Sequence, residues 1–271
     1  MHQKLDPLYG NGEATAMIRL IFHKLKGWNT SDLIINENVE LSEYIVDKVR
    51  EILKRLEKNE PIQYILGEAY FYGMNLKVDS RVLIPRPETE ELVDIIVKEN
   101  QQSDLRVLDV GTGSGAIAIA LARNLRFPQV TAIDISEDAL AVAEENARTL
   151  KARINFMHED VFVYEPSADS FDIIVSNPPY IDESEKKDVE KNVLDYEPHL
   201  ALFVSDDAPL VYYSRIADIG RKALSGNGRL YFEINPRHAL SLKALLEREG
   251  YRDVRIIEDS SRKQRFIACV K

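Results

Sequence analysis

The chain has 271 residues, 45% of them hydrophobic, enough for one large α/β domain plus a smaller one and too apolar for a disordered chain. Its 35 basic against 45 acidic residues leave a net charge of −10, which repels phosphate backbones at long range and makes nucleic acid an unexpected direct partner. No apolar run approaches the roughly 20 residues that span a bilayer, Met1-His2-Gln3-Lys4-Leu5-Asp6 lacks a signal-peptide pattern, and the single Cys269 excludes an internal disulfide or a multi-cysteine metal site, so a cytoplasmic protein with no resident metal and no membrane association is expected.

The first elements are helical. Over 14–25, Met17, Ile18, Ile21, Phe22 and Leu25 recur at three- and four-residue steps, the mark of one helix face. The rhythm returns over 41–56 in Leu41, Tyr44, Ile45, Val49, Ile52, Leu53 and Leu56, with Pro61 as the stop. These helices predict a small bundle over 1–67 as a first domain. Tyr70-Phe71-Tyr72-Gly73-Met74 and Leu76-Lys77-Val78 predict a short hairpin, and Pro85-Arg86-Pro87 stiffens its exit, so 68–87 is the expected junction. A helix opens at Glu88-Thr89-Glu90-Glu91, with acids in its favourable first turn, and starts a second domain over 88–271.

From about residue 105, strand and helix patterns alternate. Strands are expected over 105–110, 130–135, 154–158, 171–176 and 229–234, with helices over 115–126, 137–150 and 209–224. Such alternation predicts a parallel, doubly wound sheet covered on both faces. Two last strands, 254–257 and 265–270, are separated only by a polar loop and predict an antiparallel hairpin. The fold class is therefore α/β, with a Rossmann-like, mostly parallel seven-stranded sheet and a small N-terminal helical bundle; a mostly parallel sheet that finishes in an antiparallel pair resembles the class I methyltransferase architecture.

Two segments carry chemistry. Asp109-Val110-Gly111-Thr112-Gly113-Ser114-Gly115 follows the first strand of the sheet, where glycines allow a tight turn and close approach of a ligand. Asp134 closes the next strand, 134 − 113 = 21 residues on, placed to accept hydrogen bonds from ribose hydroxyls. Gly111, Gly113 and Ala116 also satisfy the loose dinucleotide pattern, so this loop fits a nicotinamide cofactor as well as S-adenosylmethionine. Asp160 is a candidate for an adenine amino group, and Val161 or Phe162 for covering the adenine ring.

The second segment is Asn177-Pro178-Pro179-Tyr180, at the end of a strand on the same sheet edge. An amide nitrogen is a poor nucleophile because its lone pair is delocalised. Two acceptors that take both N–H groups direct the lone pair at a methyl group. The Asn177 side-chain oxygen and the Pro178 carbonyl can be those acceptors, proline holding its carbonyl in place, with Tyr180 as a stacking wall. A sulfonium is already activated, so this chemistry asks for no metal and no strong base; proximity, orientation and desolvation suffice.

Together with Pro61-Ile62-Gln63-Tyr64-Ile65-Leu66-Gly67, Ile84-Pro85-Arg86-Pro87-Glu88-Thr89-Glu90, and Glu197-Pro198 with Ala201-Leu202, these segments make nearly the whole chain resemble the PrmC/HemK family, the protein-(glutamine-N5) methyltransferases of peptide chain release factors. The resemblance implies a helical domain that docks the release factor, a monomer, and methyl transfer to the glutamine of the factor's Gly-Gly-Gln motif, leaving S-adenosylhomocysteine. It implies that Gly111, Thr112, Gly113, Ser114, Gly115, Asp134, Asp160, Val161, Phe162 and Asn177 bind S-adenosylmethionine. Asn177, Pro178, Pro179 and Tyr180 would hold the glutamine, with Asn177, Pro178 and Tyr180 catalytic. Arg86, Glu88 and Thr89 either line the cofactor mouth or cap a helix. After the fifth strand the family pattern is broken: Glu233 is present, but Asn235 and His238 stand where glycine and glutamine are usual. No role is carried over to that loop, and His238 is expected as a surface histidine. The alternatives are an adenine methyltransferase of nucleic acid, which the acidic charge disfavours, a nicotinamide oxidoreductase, which leaves Asn177 to Tyr180 unexplained, and a non-catalytic module that kept the fold.

Overall fold

Apolar residues at helical spacing do fold as helices at the N-terminus, and further back than the clear rhythm begins. The computed structural model describes residues 1–271 and runs α1 from His2–Lys26, bent where Gly10 takes a non-helical φ of 76°. Its first half holds Pro7, Gly10 and Gly12, yet Leu5 is fully buried with Met17 and Ile21. A short α2 (Thr30–Ile35) is opened by an Asn29 capping box. Ser42 caps α3 (Glu43–Leu56), which stops at Leu56 rather than at Pro61 because Asn59 turns the chain with φ 62°; Pro61 instead precedes α4 (Ile62–Leu66). Ile52, Leu53, Leu56 and Ile62 complete this core.

The chain divides into two units, Met1–Glu68 with Glu190–Tyr196, and Ala69–Val189 with Glu197–Lys271. Strands β1 (Glu68–Phe71) and β2 (Met74–Lys77) form the hairpin. Its turn is Tyr72-Gly73, both at positive φ, the geometry of a two-residue primed turn, so Met74 falls on the second strand rather than the first. Helix α5 (Pro87–Glu99) begins one residue earlier than expected, since proline suits the first helical position.

In the larger unit, β3 (Arg106–Val110), α6 (Ala116–Asn124), β4 (Gln129–Asp134), α7 (Glu137–Thr149), β5 (Ile154–His158) and β6 (Phe171–Ser176) alternate as the sequence predicts. A small pair follows, β7 (Ile181–Asp182) with β8 (Phe203–Val204), and between them α8 (Lys191–Tyr196), which belongs to the helical unit. Then come α9 (Val211–Ala223), β9 (Leu224–Glu233), α10 (Ala239–Arg248), β10 (Arg252–Glu258) and β11 (Gln264–Val270). The seven-stranded sheet has the order β10-β11-β9-β6-β3-β4-β5. Its β9, β6, β3, β4 and β5 are parallel, and β11 runs antiparallel to both β9 and β10.

Strand periodicity splits the core. Leu108, Ile174 and Phe232 face one side; Val107, Ile173, Val175 and Tyr231 face the other. From β3 the chain winds outward through β4 to β5, then crosses back to β6 on the other side of β3. The strand order therefore reverses between β3 and β6, the place where such sheets leave a crevice at their carboxyl ends.

Gly220 tests how tightly one face is filled. A Cβ there would fall 2.3 Å from the Tyr251 hydroxyl, itself bonded to the Ala217 carbonyl at 2.7 Å. Gly220→Ala is expected to lower stability by about 1–3 kcal/mol, read as a lower urea midpoint at unchanged slope. A wild-type midpoint would show that the α9–Tyr251 contact is loose.

Candidate active site

The glycine loop is held by its own neighbours. The Gly111 and Thr112 N–H groups donate to the Ile133 carbonyl at 2.9 and 3.1 Å, tying the loop to the end of β4. Asp109, fully buried, accepts from the Thr112 hydroxyl at 2.7 Å and the Ala118 N–H at 3.1 Å. The glycines divide by task. Gly111 and Gly113 have open space where a Cβ would be, whereas at Gly115 it would press on Ile119 and Ala143 at 3.1 and 3.2 Å.

Beyond the loop lies a cavity of about 1050 Å³, its open mouth included. It is lined by Gly111 and Gly113 after β3, by Asp134 at the end of β4 and Ser136 after it, by Asp160, Val161 and Phe162 after β5, and by Asn177, Pro178 and Pro179 after β6. Thr112, Ser114 and Gly115 do not line it. Thr112 turns inward to Asp109, Ser114 is buried with its carbonyl bonded to Asn146, and Gly115 packs on α7. Tyr212 and Ile216 of α9 do line it. In sequence they read only as part of an amphipathic helix, and the aromatic at 212 is the one signal that could have found them.

Asp134 accepts from the Gly113 N–H at 2.8 Å and the Ser136 N–H at 3.0 Å. Burial pushes its carboxyl above the usual range and these backbone donors pull it back. Each oxygen keeps a second lone pair for a ligand hydroxyl. Asp160 accepts from the Phe162 N–H at 2.9 Å, a local turn that presents Val161 and Phe162. Val161 packs toward the core and its carbonyl accepts from Arg215 at 2.9 Å. Phe162 stays 43% exposed, its ring 5.3 Å from that of Tyr212.

Two loops close the other side of the cavity, Arg81, Val82 and Leu83 from the junction and Pro198, Leu200 and Ala201 from the segment before β8. Buried Glu197 bolts them together, accepting from the Ile84 N–H at 3.1 Å and the Arg86 guanidinium at 2.7 Å. Arg86 therefore starts α5 by its backbone, while its side chain pairs with Glu197.

The segment Asn177 to Tyr180 is rooted beside the glycine loop, because the Ser176 hydroxyl donates to the Val110 carbonyl at 2.7 Å. Asn177 Nδ2 lies 3.5 Å from Thr89 Oγ1, at the outer limit of a hydrogen bond. The Thr89 hydroxyl donates to Glu233 Oε2 at 2.6 Å, and the Tyr180 hydroxyl to Glu233 Oε1 at 3.1 Å. Tyr180 is thus turned back to Glu233 and does not line the cavity. Glu233 is 1% exposed; burial pushes its carboxyl up, and the Thr89 and Tyr180 donors oppose that. Burial pushes the Tyr180 hydroxyl up as well. Glu88 sits in the first turn of α5, its charge opposing that of Glu233.

The loop with the broken family pattern is part of this arrangement. Asn235 Nδ2 donates to the Tyr180 carbonyl at 3.1 Å and to Glu185 at 2.8 Å. His238 is not a surface histidine: its side chain is 18% exposed and its Nε2 lies 2.9 Å from Asp182. No sequence spacing links positions 89, 180 and 233, so only the residue types, acids and hydroxyls beside a motif, hint at their meeting.

Residues 88–199 match the methyltransferase small domain, and residues 8–67 match the PrmC N-terminal domain. A release factor glutamine methyltransferase of Bacteroides thetaiotaomicron is 48% identical, over 99% of this chain and 97% of that one. One from Flavobacterium psychrophilum is 42% identical, over 98% and 94%. Among solved structures, a methyltransferase from Pyrococcus furiosus shares the fold with a TM-score of 0.55 at 16% identity, over 83% of this chain and 98% of that one.

Asp109 gives the site a pH signature. Burial pushes its carboxyl up to about 7, and its Oδ1 has no partner. The folded state therefore favours the protonated form. That stabilisation is fully present below the ordinary value near 4 and is lost as pH rises through about 7. The melting temperature of Asp109→Asn is expected to gain on the wild type between pH 5 and pH 8. A difference independent of pH would contradict an elevated Asp109.

Proposed function

The chain belongs to the family of release factor glutamine methyltransferases, and from that premise we propose that it transfers a methyl group from S-adenosylmethionine to the side-chain amide nitrogen (N5) of the glutamine in the Gly-Gly-Gln motif of a peptide chain release factor. When bound, S-adenosylmethionine supplies a methyl group already activated on a sulfonium. The residues present suit it. The carboxylate of Asp134 lies in the cavity with lone pairs left for hydroxyls, Gly111 and Gly113 leave room for close approach, and Phe162 with Tyr212 offers an aromatic flank. We read Gly111, Gly113, Asp134, Asp160, Val161 and Phe162 as the groups that touch the cofactor. Thr112, Ser114 and Gly115 shape the loop from behind.

The observation that carries the acceptor half is the placing of Asn177. Its side chain lines the same cavity, its Nδ2 is turned toward Thr89, and its Oδ1 is left to accept. A primary amide seated there can donate one N–H to Asn177 Oδ1 and the other to the Pro178 carbonyl. Both donors are then engaged in the amide plane, and the nitrogen lone pair is directed out of it. Pro178 and Pro179 restrict the backbone that carries these acceptors. The chain's contribution is orientation and exclusion of water, which suits a reaction whose leaving group is already activated.

Following the PrmC N-terminal match, we read the helical unit as the docking surface for the release factor. It exposes Ile34, Ile35 and Tyr44. No helix is long and apolar enough to cross a membrane. With a release factor as its substrate, the chain would work in the cytoplasm.

Purified protein incubated with methyl-labelled S-adenosylmethionine is expected to label a purified release factor and leave DNA unlabelled; label on DNA alone would overturn the reading. In the same assay Asn177→Ala is expected to lower turnover by roughly a hundredfold or more through lost orientation. Its affinity for the cofactor, measured by calorimetry, should stay within about fivefold, since a single hydrogen bond contributes roughly 1 kcal/mol. Full turnover in that variant would remove Asn177 from the chemistry.

A further inference from the structure

We propose that Glu233 is a positioning residue for methyl transfer, setting the hydrogen-bond polarity of Asn177 through Thr89 and holding the acceptor segment through Tyr180. The inference rests on the functional reading above. Its basis is a count of protons. A hydroxyl has one proton to donate, and Thr89 commits it to Glu233 Oε2 at 2.6 Å. Toward Asn177 the Thr89 oxygen can then only accept. The Asn177 amide must therefore present Nδ2 to Thr89, as it does at 3.5 Å, and Oδ1 away from it. The flipped amide would set two oxygens against each other. Oδ1 is the atom a substrate N–H needs, so the direction of one buried hydrogen bond decides whether the site offers an acceptor or a donor.

An ionised carboxylate is the group that imposes this direction, because it accepts on both oxygens and donates on neither. Glu233 uses one oxygen for Thr89 and the other for Tyr180 at 3.1 Å. Glutamine has the same shape but a single acceptor oxygen. In the Glu233→Gln variant, one of the two hydroxyls would face an NH2 group. If that is Thr89, its proton turns to Asn177 and the amide is driven to the wrong polarity. If it is Tyr180, the buried hydroxyl loses its acceptor. Asn235 adds to the same grip, donating to the Tyr180 carbonyl at 3.1 Å, and His238 holds Asp182 two residues beyond. The residues by which this chain departs from the family pattern are thus those that fasten the backbone after Tyr180.

The test compares Thr89→Val, Thr89→Ser and Glu233→Gln in steady-state methylation of a release factor, with cofactor binding and melting temperature measured alongside. Thr89→Val keeps the shape and removes the hydroxyl; Thr89→Ser keeps the hydroxyl. Thr89→Val and Glu233→Gln are expected to lower kcat by roughly tenfold to a hundredfold through misorientation, while KM for the release factor and Kd for the cofactor stay within about twofold. Thr89→Ser is expected to restore most of kcat. Wild-type kcat in Thr89→Val, or equal loss in Thr89→Ser and Thr89→Val, overturns the proposal, and so does a loss that appears mainly in cofactor Kd. If Glu233→Gln does not fold, the two Thr89 variants carry the decision. A wild type idle toward release factors but active on another amide or amine would overturn the functional reading instead, and the Thr89 comparison is then made on that acceptor.

Discussion

Everything at the site depends on the parallel pairing of β3 with β6. Their register sets Val110 beside Ser176, the last residue of each strand, and the Ser176 hydroxyl closes the pair on the Val110 carbonyl at 2.7 Å. Gly111 and Asn177 leave the sheet from those adjoining positions. The glycine loop and the Asn177 to Tyr180 segment therefore start side by side because two strands from distant parts of the chain end together. A slip of one residue would turn Asn177 to the opposite face. The apolar runs on both sides of the sheet oppose such a slip: Val107 and Ile173 fill one core, Leu108 and Ile174 the other.

Upon that frame the buried acids hold parts in place rather than take part in proton transfer. Asp109 braces the glycine loop, Glu197 joins the two loops beside the cavity, and Glu233 receives Thr89 and Tyr180. Each is nearly free of solvent, where an unpaired charge is costly and a paired one has strong directional preference. The donors of Glu197 and Glu233 come from segments far away in sequence, so these two acids also tie the fold together around the cavity, whereas those of Asp109 are local. The acidity of the chain as a whole is a surface property; these few carboxylates are a different population with structural tasks.

The fold was legible where its signals are local. Hydrophobic period and glycine placement give β5 and β6 to the residue, and the other parallel strands within a few positions, except that β9 starts at Leu224 rather than 229. The separate helical region and the terminal antiparallel pair were legible in the same way. The helix α10 lies outside the expected elements although Leu242, Leu245 and Leu246 carry its rhythm. The short polar segment of α8 has no period to read, and its place in the helical unit is a tertiary fact. At the site, sequence motifs identified the two loops but not which way each side chain faces. Thr112 and Ser114 share a motif with Gly111 and Gly113, yet alternate backbone directions turn them inward. Thr89, Glu233, Asn235 and His238 gain their meaning from partners 50 to 144 residues away, a separation no local pattern encodes.

On the reading proposed above, two acceptors on one short segment, Asn177 Oδ1 and the Pro178 carbonyl, select the side-chain nitrogen of a primary amide. Tandem mass spectrometry of the methylated release factor tests it most directly. A single added methyl group is expected on the side-chain amide nitrogen of the Gly-Gly-Gln glutamine, with that glutamine's neighbours unmodified. A methyl group on a lysine amine, a carboxylate or a backbone nitrogen of the factor would contradict it.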